Sequence, residues 1–147
     1  MFVTGNSTGA GDMSGQYQGI QMQNLAAMDR YRFSLVSYPD AEVEATILEA
    51  AVPRMPKVIR EGMIKVANEV RKLFMGGDGQ PGTIALTMST RTLLRWAKLA
   101  LTFKKAPNAL EYALGQALLN RATPEEKEAI TRIAKDVFGE DQWSTGV

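Results

Sequence analysis

Apolar positions recur at helical spacing along most of this chain, beginning near residue 40. Val43, Ile47 and Leu48 share one face of a helix over 41–51, with Glu42, Glu44 and Glu49 off that face. Asp40 stands where an N-cap belongs, and Pro53 and Pro56 close the segment. Val58, Ile59, Met63, Val66, Val70 and Leu73 predict a longer helix over 57–74. The run Gly76-Gly77-Asp78-Gly79-Gln80-Pro81-Gly82 reads as a linker. Ser89 or Thr90 caps the next helix, which runs to about Phe103 with Leu93, Leu94, Trp96, Ala97, Ala100 and Leu101 as a broad apolar face. Ala106-Pro107-Asn108 ends it and starts another helix to about Asn120. Three signals agree on the last start: Thr123 as N-cap, Pro124 in the first turn and Glu126 completing a capping box. Gly139 is its predicted left-handed C-cap.

The first 39 residues have a different pattern. Phe2-Val3-Thr4 is β-like and leads into a stretch holding Gly5, Gly9, Gly11, Gly15 and Gly19. A short helix over 23–30 follows, then alternation in Phe33-Ser34-Leu35-Val36-Ser37-Tyr38 that predicts a strand stopped by Pro39-Asp40. The expected fold class is mainly α with a small αβ part: an αβ segment over 1–39 and a helical domain over 40–147. Two strands alone do not make a stable sheet in water, so these need further partners.

Composition narrows the chemistry. At 147 residues and 45% hydrophobic, the chain has enough apolar material for a real core. It has no cysteine and no histidine, which removes disulfides, thiolate metal sites and the commonest general base. A Ser-His-Asp or Cys-His enzyme is excluded, and no metal site is expected. A net charge of +1 favours no particular partner. No apolar run reaches the roughly 18 residues that a membrane span requires. With no signal-like start, a cytoplasmic setting without membrane contact is the expectation.

The glycine-rich start fails as a phosphate loop. Such a loop ends in Gly-Lys-Ser/Thr, because the lysine neutralises phosphate and the hydroxyl binds magnesium. Here no lysine precedes Lys57. Basic residues gather later: Arg91, Arg95, Lys98, Lys104 and Lys105 lie between Asp78 and Glu111 with no acid among them. Arg91, Arg95 and Lys98 follow i, i+4, i+7 and form one cationic stripe on a helix. That stripe fits a solvated surface, an anion site where Arg91 joins the free amides of a helix start, or contact with nucleic acid or an acidic protein. Spacing leaves all three open.

The order of these segments resembles the second half of the AAA+ ATPase core and its helical lid, in the branch of the MoxR-type ATPases and the small ATPase subunit of cobalt chelatase. Phe2-Val3-Thr4-Gly5-Asn6 matches a strand ending in the asparagine that senses the γ-phosphate, so the resemblance makes Asn6 a catalytic candidate. Met28-Asp29-Arg30-Tyr31 is similar to the motif whose arginine reaches the neighbouring subunit's nucleotide, making Arg30 the candidate arginine finger. Ser89-Thr90-Arg91-Thr92 resembles the Ser-Pro-Arg-Thr-like motif of the lid, with Thr90 in place of proline. It makes Arg91 the lid's phosphate contact and Arg95 a second one. Ala117-Leu118-Leu119-Asn120-Arg121 and Val137-Phe138-Gly139 also look like the chelatase branch.

The resemblance covers most of the chain and implies the last two strands of an AAA+ core followed by an α-helical lid bundle. It further implies ATP and Mg2+ as cofactors of the intact ATPase, a homo-oligomeric ring and a protein partner remodelled by hydrolysis. The family's Walker lysine and acids precede the matched part. This chain alone is therefore expected neither to hydrolyse ATP nor to hold it tightly.

Overall fold

Helix α1 (Ala41–Ala51) begins directly after Asp40, which takes the N-cap position in an extended conformation but makes no side-chain cap bond. Its acidic first turn, Glu42 and Glu44, lies at the positive end of the helix dipole. This computed structural model describes Ala26 and residues 29–32, 34, 36–76 and 82–145. Asn6, the expected first strand, the glycine-rich start and most of the 76–82 linker lie outside that set. The chain divides into two units, Met1–Ser37 and Tyr38–Val147. In the first, Ala26 is helical and Asp29 and Arg30 form a turn. Of the expected strand over 33–38, Ser34, Val36, Ser37 and Tyr38 are described, and none pairs in a ladder.

The second unit is helical. Helix α2 (Lys57–Met75) packs against α1, against α3 (Thr90–Thr102) and against α5 (Pro124–Thr145), while α4 (Ala109–Ala117) packs on α3 and α5. The apolar period of α2 decides this central place, with Ile59, Met63, Val66, Ala67 and Val70 all buried. Trp96 of α3 is fully buried, and its indole N–H donates to the Leu110 carbonyl at 3.0 Å. Each such large side chain contributes roughly 1.5–3 kcal/mol by leaving water. Gly62 permits a close contact between α2 and α5, because a Cβ there would overlap the Phe138 ring. Phe138 in turn meets Trp96 edge-on at 6.2 Å between centroids.

Two sequence expectations change, and the structure adds detail at two further points. Val43 is half exposed while Glu44 is fully buried, so α1 presents Glu44 and Leu48 to the core instead of Val43. The reason is a buried cationic partner, described below. The helix expected to reach Asn120 ends at Ala117 and gives way to a 3-10 turn, Leu119–Arg121. Asn108 adopts a left-handed conformation (φ 54°) before α4, and its N–H donates to the Ser144 carbonyl at 3.3 Å. Gly139 takes positive φ (74°) and breaks α5 as expected, and a further helical segment follows to Thr145. The kink brings Trp143 into the core, 2% exposed and stacked with Phe138.

Candidate functional site

The segment leading into α3 has no regular backbone ladder, so its polar groups must find partners elsewhere. Two carboxylates and one guanidinium supply most of them. Thr83 N–H donates to the Leu73 carbonyl at 2.8 Å, and Gly82 lies so close to the Phe74 carbonyl that no Cβ fits. Ile84 and Met88 point into the core. Between them, the Glu126 carboxylate accepts the Ala85 N–H at 2.8 Å and the Leu86 N–H at 3.0 Å. Its other oxygen accepts the Thr123 N–H at 3.0 Å, and its own N–H donates to the Thr123 hydroxyl at 3.3 Å. The expected capping box is present, and the same side chain also ties down the loop.

These bonds hold the Glu126 carboxyl below the usual carboxylate range. The Thr123 N–H contributes most, Ala85 and Leu86 add to it, and burial opposes them. A depressed folded-state value adds stability that is fully present above the unfolded pKa of about 4.3 and is lost as pH falls through the folded value. Glu126→Gln replaces one acceptor oxygen with a donor facing an N–H. It is expected to cost about 1–3 kcal/mol at neutral pH and to flatten the acid limb of the stability curve. Urea titrations of both proteins between neutral and acid pH check this, and parallel acid limbs would contradict it.

The second clamp is a buried ion pair. Glu44 of α1 is 0% exposed and Arg71 of α2 is 2% exposed. They meet in a fork, Nη1 to Oε2 at 2.8 Å and Nη2 to Oε1 at 2.7 Å. Bidentate geometry of this kind gives both strength and direction. Two of the three remaining N–H donors are also used: Nε reaches the Met88 carbonyl at 2.7 Å, and Nη1 also reaches Asn68 Oδ1 at 3.0 Å. The Tyr38 ring covers the guanidinium at 4.4 Å, and the Tyr38 and Thr87 hydroxyls are 2.9 Å apart. Thr90 donates its hydroxyl to Glu44 Oε1 at 2.7 Å.

These contacts surround Ser89, which takes an extended conformation and caps α3 by accepting the Thr92 N–H at 3.2 Å. Arg91 follows in the first turn, exposed and without an ion pair among the described residues. Arg95 and Lys98 lie one and two turns on, also exposed. Arg91 and Arg95 thus share one solvent face at the positive end of the α3 dipole, where free amides favour an anion. Arg30 is exposed in the first unit and has no ion pair among the described residues. Asn6 lies outside them. Sequence reasoning missed Glu44, Arg71 and the loop contacts of Glu126. Arg71 does fall on the buried stripe of Ile64 and Ala67, a signal that spacing offered. No group of three or more acidic residues poised for a metal, and no helix long and apolar enough to cross a membrane, occurs among the described residues.

Residues 44–137, from the buried Glu44 through both clamps to α5, match the family model described as CbbQ/NirQ/NorQ C-terminal. The chain belongs to this family. It is the C-terminal helical portion of a CbbQ/MoxR-like AAA+ ATPase, as the resemblance implied. It is also similar to the aerobic cobaltochelatase subunit CobS of a Sinorhizobium species, 28% identical over 144 residues. That match covers 95% of this chain and 41% of the relative, so the CbbQ-like chain spans well under half of that protein's length. No solved structure matches the chain significantly.

Proposed function

We propose that this chain is the nucleotide-reading lid of an AAA+ ATPase, with Arg91 contacting phosphate and Arg95 in support. The observation that carries the reading is the exposed Arg91 in the first turn of a helix whose start is clamped by Glu44, Arg71 and Glu126. An arginine needed for phosphate is best left uncommitted to carboxylates and held in a fixed direction, since its fork binds phosphate oxygens bidentately. In the assembled ATPase, Asn6 positions the γ-phosphate or the attacking water, and Arg30 reaches the nucleotide of the adjoining subunit. ATP and Mg2+ are held mainly by a segment carrying the Walker residues, which this sequence lacks. Hydrolysis in a homo-oligomeric ring then remodels a protein partner. Similarity to a cobaltochelatase subunit supports the idea of a partner without naming it.

Arg91→Ala in the assembled ATPase is expected to lower kcat/KM for ATP about 10- to 100-fold, the loss of one charge-assisted contact. Arg91→Lys falls between, since an ammonium restores charge without the fork. The purified chain by itself is expected to show no ATP turnover. Turnover by the chain alone that survives Arg91→Ala sinks the reading, as does an assembled ATPase indifferent to the substitution.

A further inference from the structure

The buried ion pair has more partners than packing demands, and they converge on one short stretch of backbone. Thr87, Met88 and Thr90 are each held by a member of the network, through the Tyr38 hydroxyl, Arg71 Nε and Glu44 Oε1 respectively. The one residue of 87–90 that the network leaves alone is Ser89, the helix cap. Thr90 occupies the first helical position, where a proline suits the geometry and no side-chain donor is needed. Here the hydroxyl instead donates to a carboxylate with no exposed surface. The direction of the α3 first turn is therefore set by charges on α1 and α2, outside α3 itself.

We infer that Thr90, acting through Glu44 and Arg71, is a positioning residue for Arg91, orienting its guanidinium toward phosphate. The inference rests on the reading of Arg91 as a phosphate contact and adds what aims it. Rotation of the first turn about the Ser89 cap moves the Arg91 side chain through a large arc, because its guanidinium lies at the end of a long, flexible stem. Fixing Thr90 removes that rotation. Tyr38, the first residue of the second unit, belongs to the same network, so the point where the chain enters this unit is tied to the sensor turn.

The test is a double-mutant cycle in the assembled ATPase, using Thr90→Val and Arg91→Ala with ATP kinetics and thermal melting. Valine keeps the shape of threonine and leaves Glu44 its two Arg71 donors. Thr90→Val is expected to raise KM for ATP about fivefold, the effect of one misdirected hydrogen bond, while kcat and the melting temperature change little. Thr90→Ser restores the wild-type KM. In the Arg91→Ala background, Thr90→Val adds less than about a twofold change, because its effect passes through the missing side chain. Tyr38→Phe, which keeps the ring over Arg71 and loses only the hydroxyl contact, gives the same pattern if Thr90→Val fails to fold. A defective Arg91→Ala beside a normal Thr90→Val overturns the positioning role alone. So does a Thr90→Val effect that persists at full size without Arg91. Wild-type kinetics in Arg91→Ala overturn the phosphate reading, and the positioning role with it.

Discussion

Alanine at Arg71 is expected to lower the stability of the chain by about 3–5 kcal/mol, the usual cost of removing one partner from a buried ion pair. The loss leaves the Glu44 carboxylate, 0% exposed, with only the Thr90 hydroxyl as donor. It also leaves the Met88 carbonyl without the guanidinium that it accepts from, and Asn68 without a partner. Domains of this size have total stabilities of about 5–15 kcal/mol, so a large part of the margin disappears. Glu44→Ala is expected to do comparable damage by burying an unpaired guanidinium. The double substitution should cost clearly less than the sum of the two, because no lone charge remains. Urea unfolding of the 147-residue chain followed by far-UV circular dichroism measures all three. A single-mutant cost below about 1 kcal/mol, in the range of exposed ion pairs, would falsify the burial argument.

Arg30→Ala is expected to act on turnover instead of stability. In the assembled ATPase it should lower kcat by about 10³-fold or more, with KM for ATP little changed. An arginine finger acts on charge that develops in the transition state, so its removal spares ground-state binding. Arg30 is exposed and without an ion pair among the described residues, as a side chain reserved for another molecule should be. On the proposed reading the contact is made between subunits, so mixed rings give a further check. Arg30→Ala subunits mixed with subunits disabled at Arg91 should recover part of the activity at the interfaces where both arginines are intact. An Arg30→Ala enzyme that keeps a tenth of its kcat rules out the finger role.

The two substitutions separate what the chain needs in order to fold from what it needs in order to work. Arg71 and Arg91 lie 20 residues apart and differ in how their guanidinium groups are engaged. Arg71 uses every face of its guanidinium inside the domain, on Glu44, Met88, Asn68 and the Tyr38 ring. Arg91 makes no such commitment among the described residues. A search for functional arginines by basic clustering alone favours the second and passes over the first, because Arg71 sits in an otherwise amphipathic helix.

Local patterns gave most of the helical plan. The apolar period of residues 58–73, the cap at Ser89 and the Thr123-Pro124-Glu126 start all depend on neighbours three or four residues apart, which a linear reading can see. The motif around Arg91 was visible for the same reason, since it too is a run of neighbouring residues. What failed was local reasoning about residues with distant partners. Glu44 was placed off the buried face because an unpaired acid belongs in water, and its partner Arg71 lies 27 residues away. Glu126 was read only as a cap, while the loop amides that it also binds lie 40 and 41 residues back. Gly139 does break its helix, but nothing nearby says that a further helical segment follows or that Trp143 has a place in the core to fill. Sequence by itself thus determined where most of the helices form. Only the tertiary structure decided which charges are buried, because a charge enters the interior only when folding brings its partner to it.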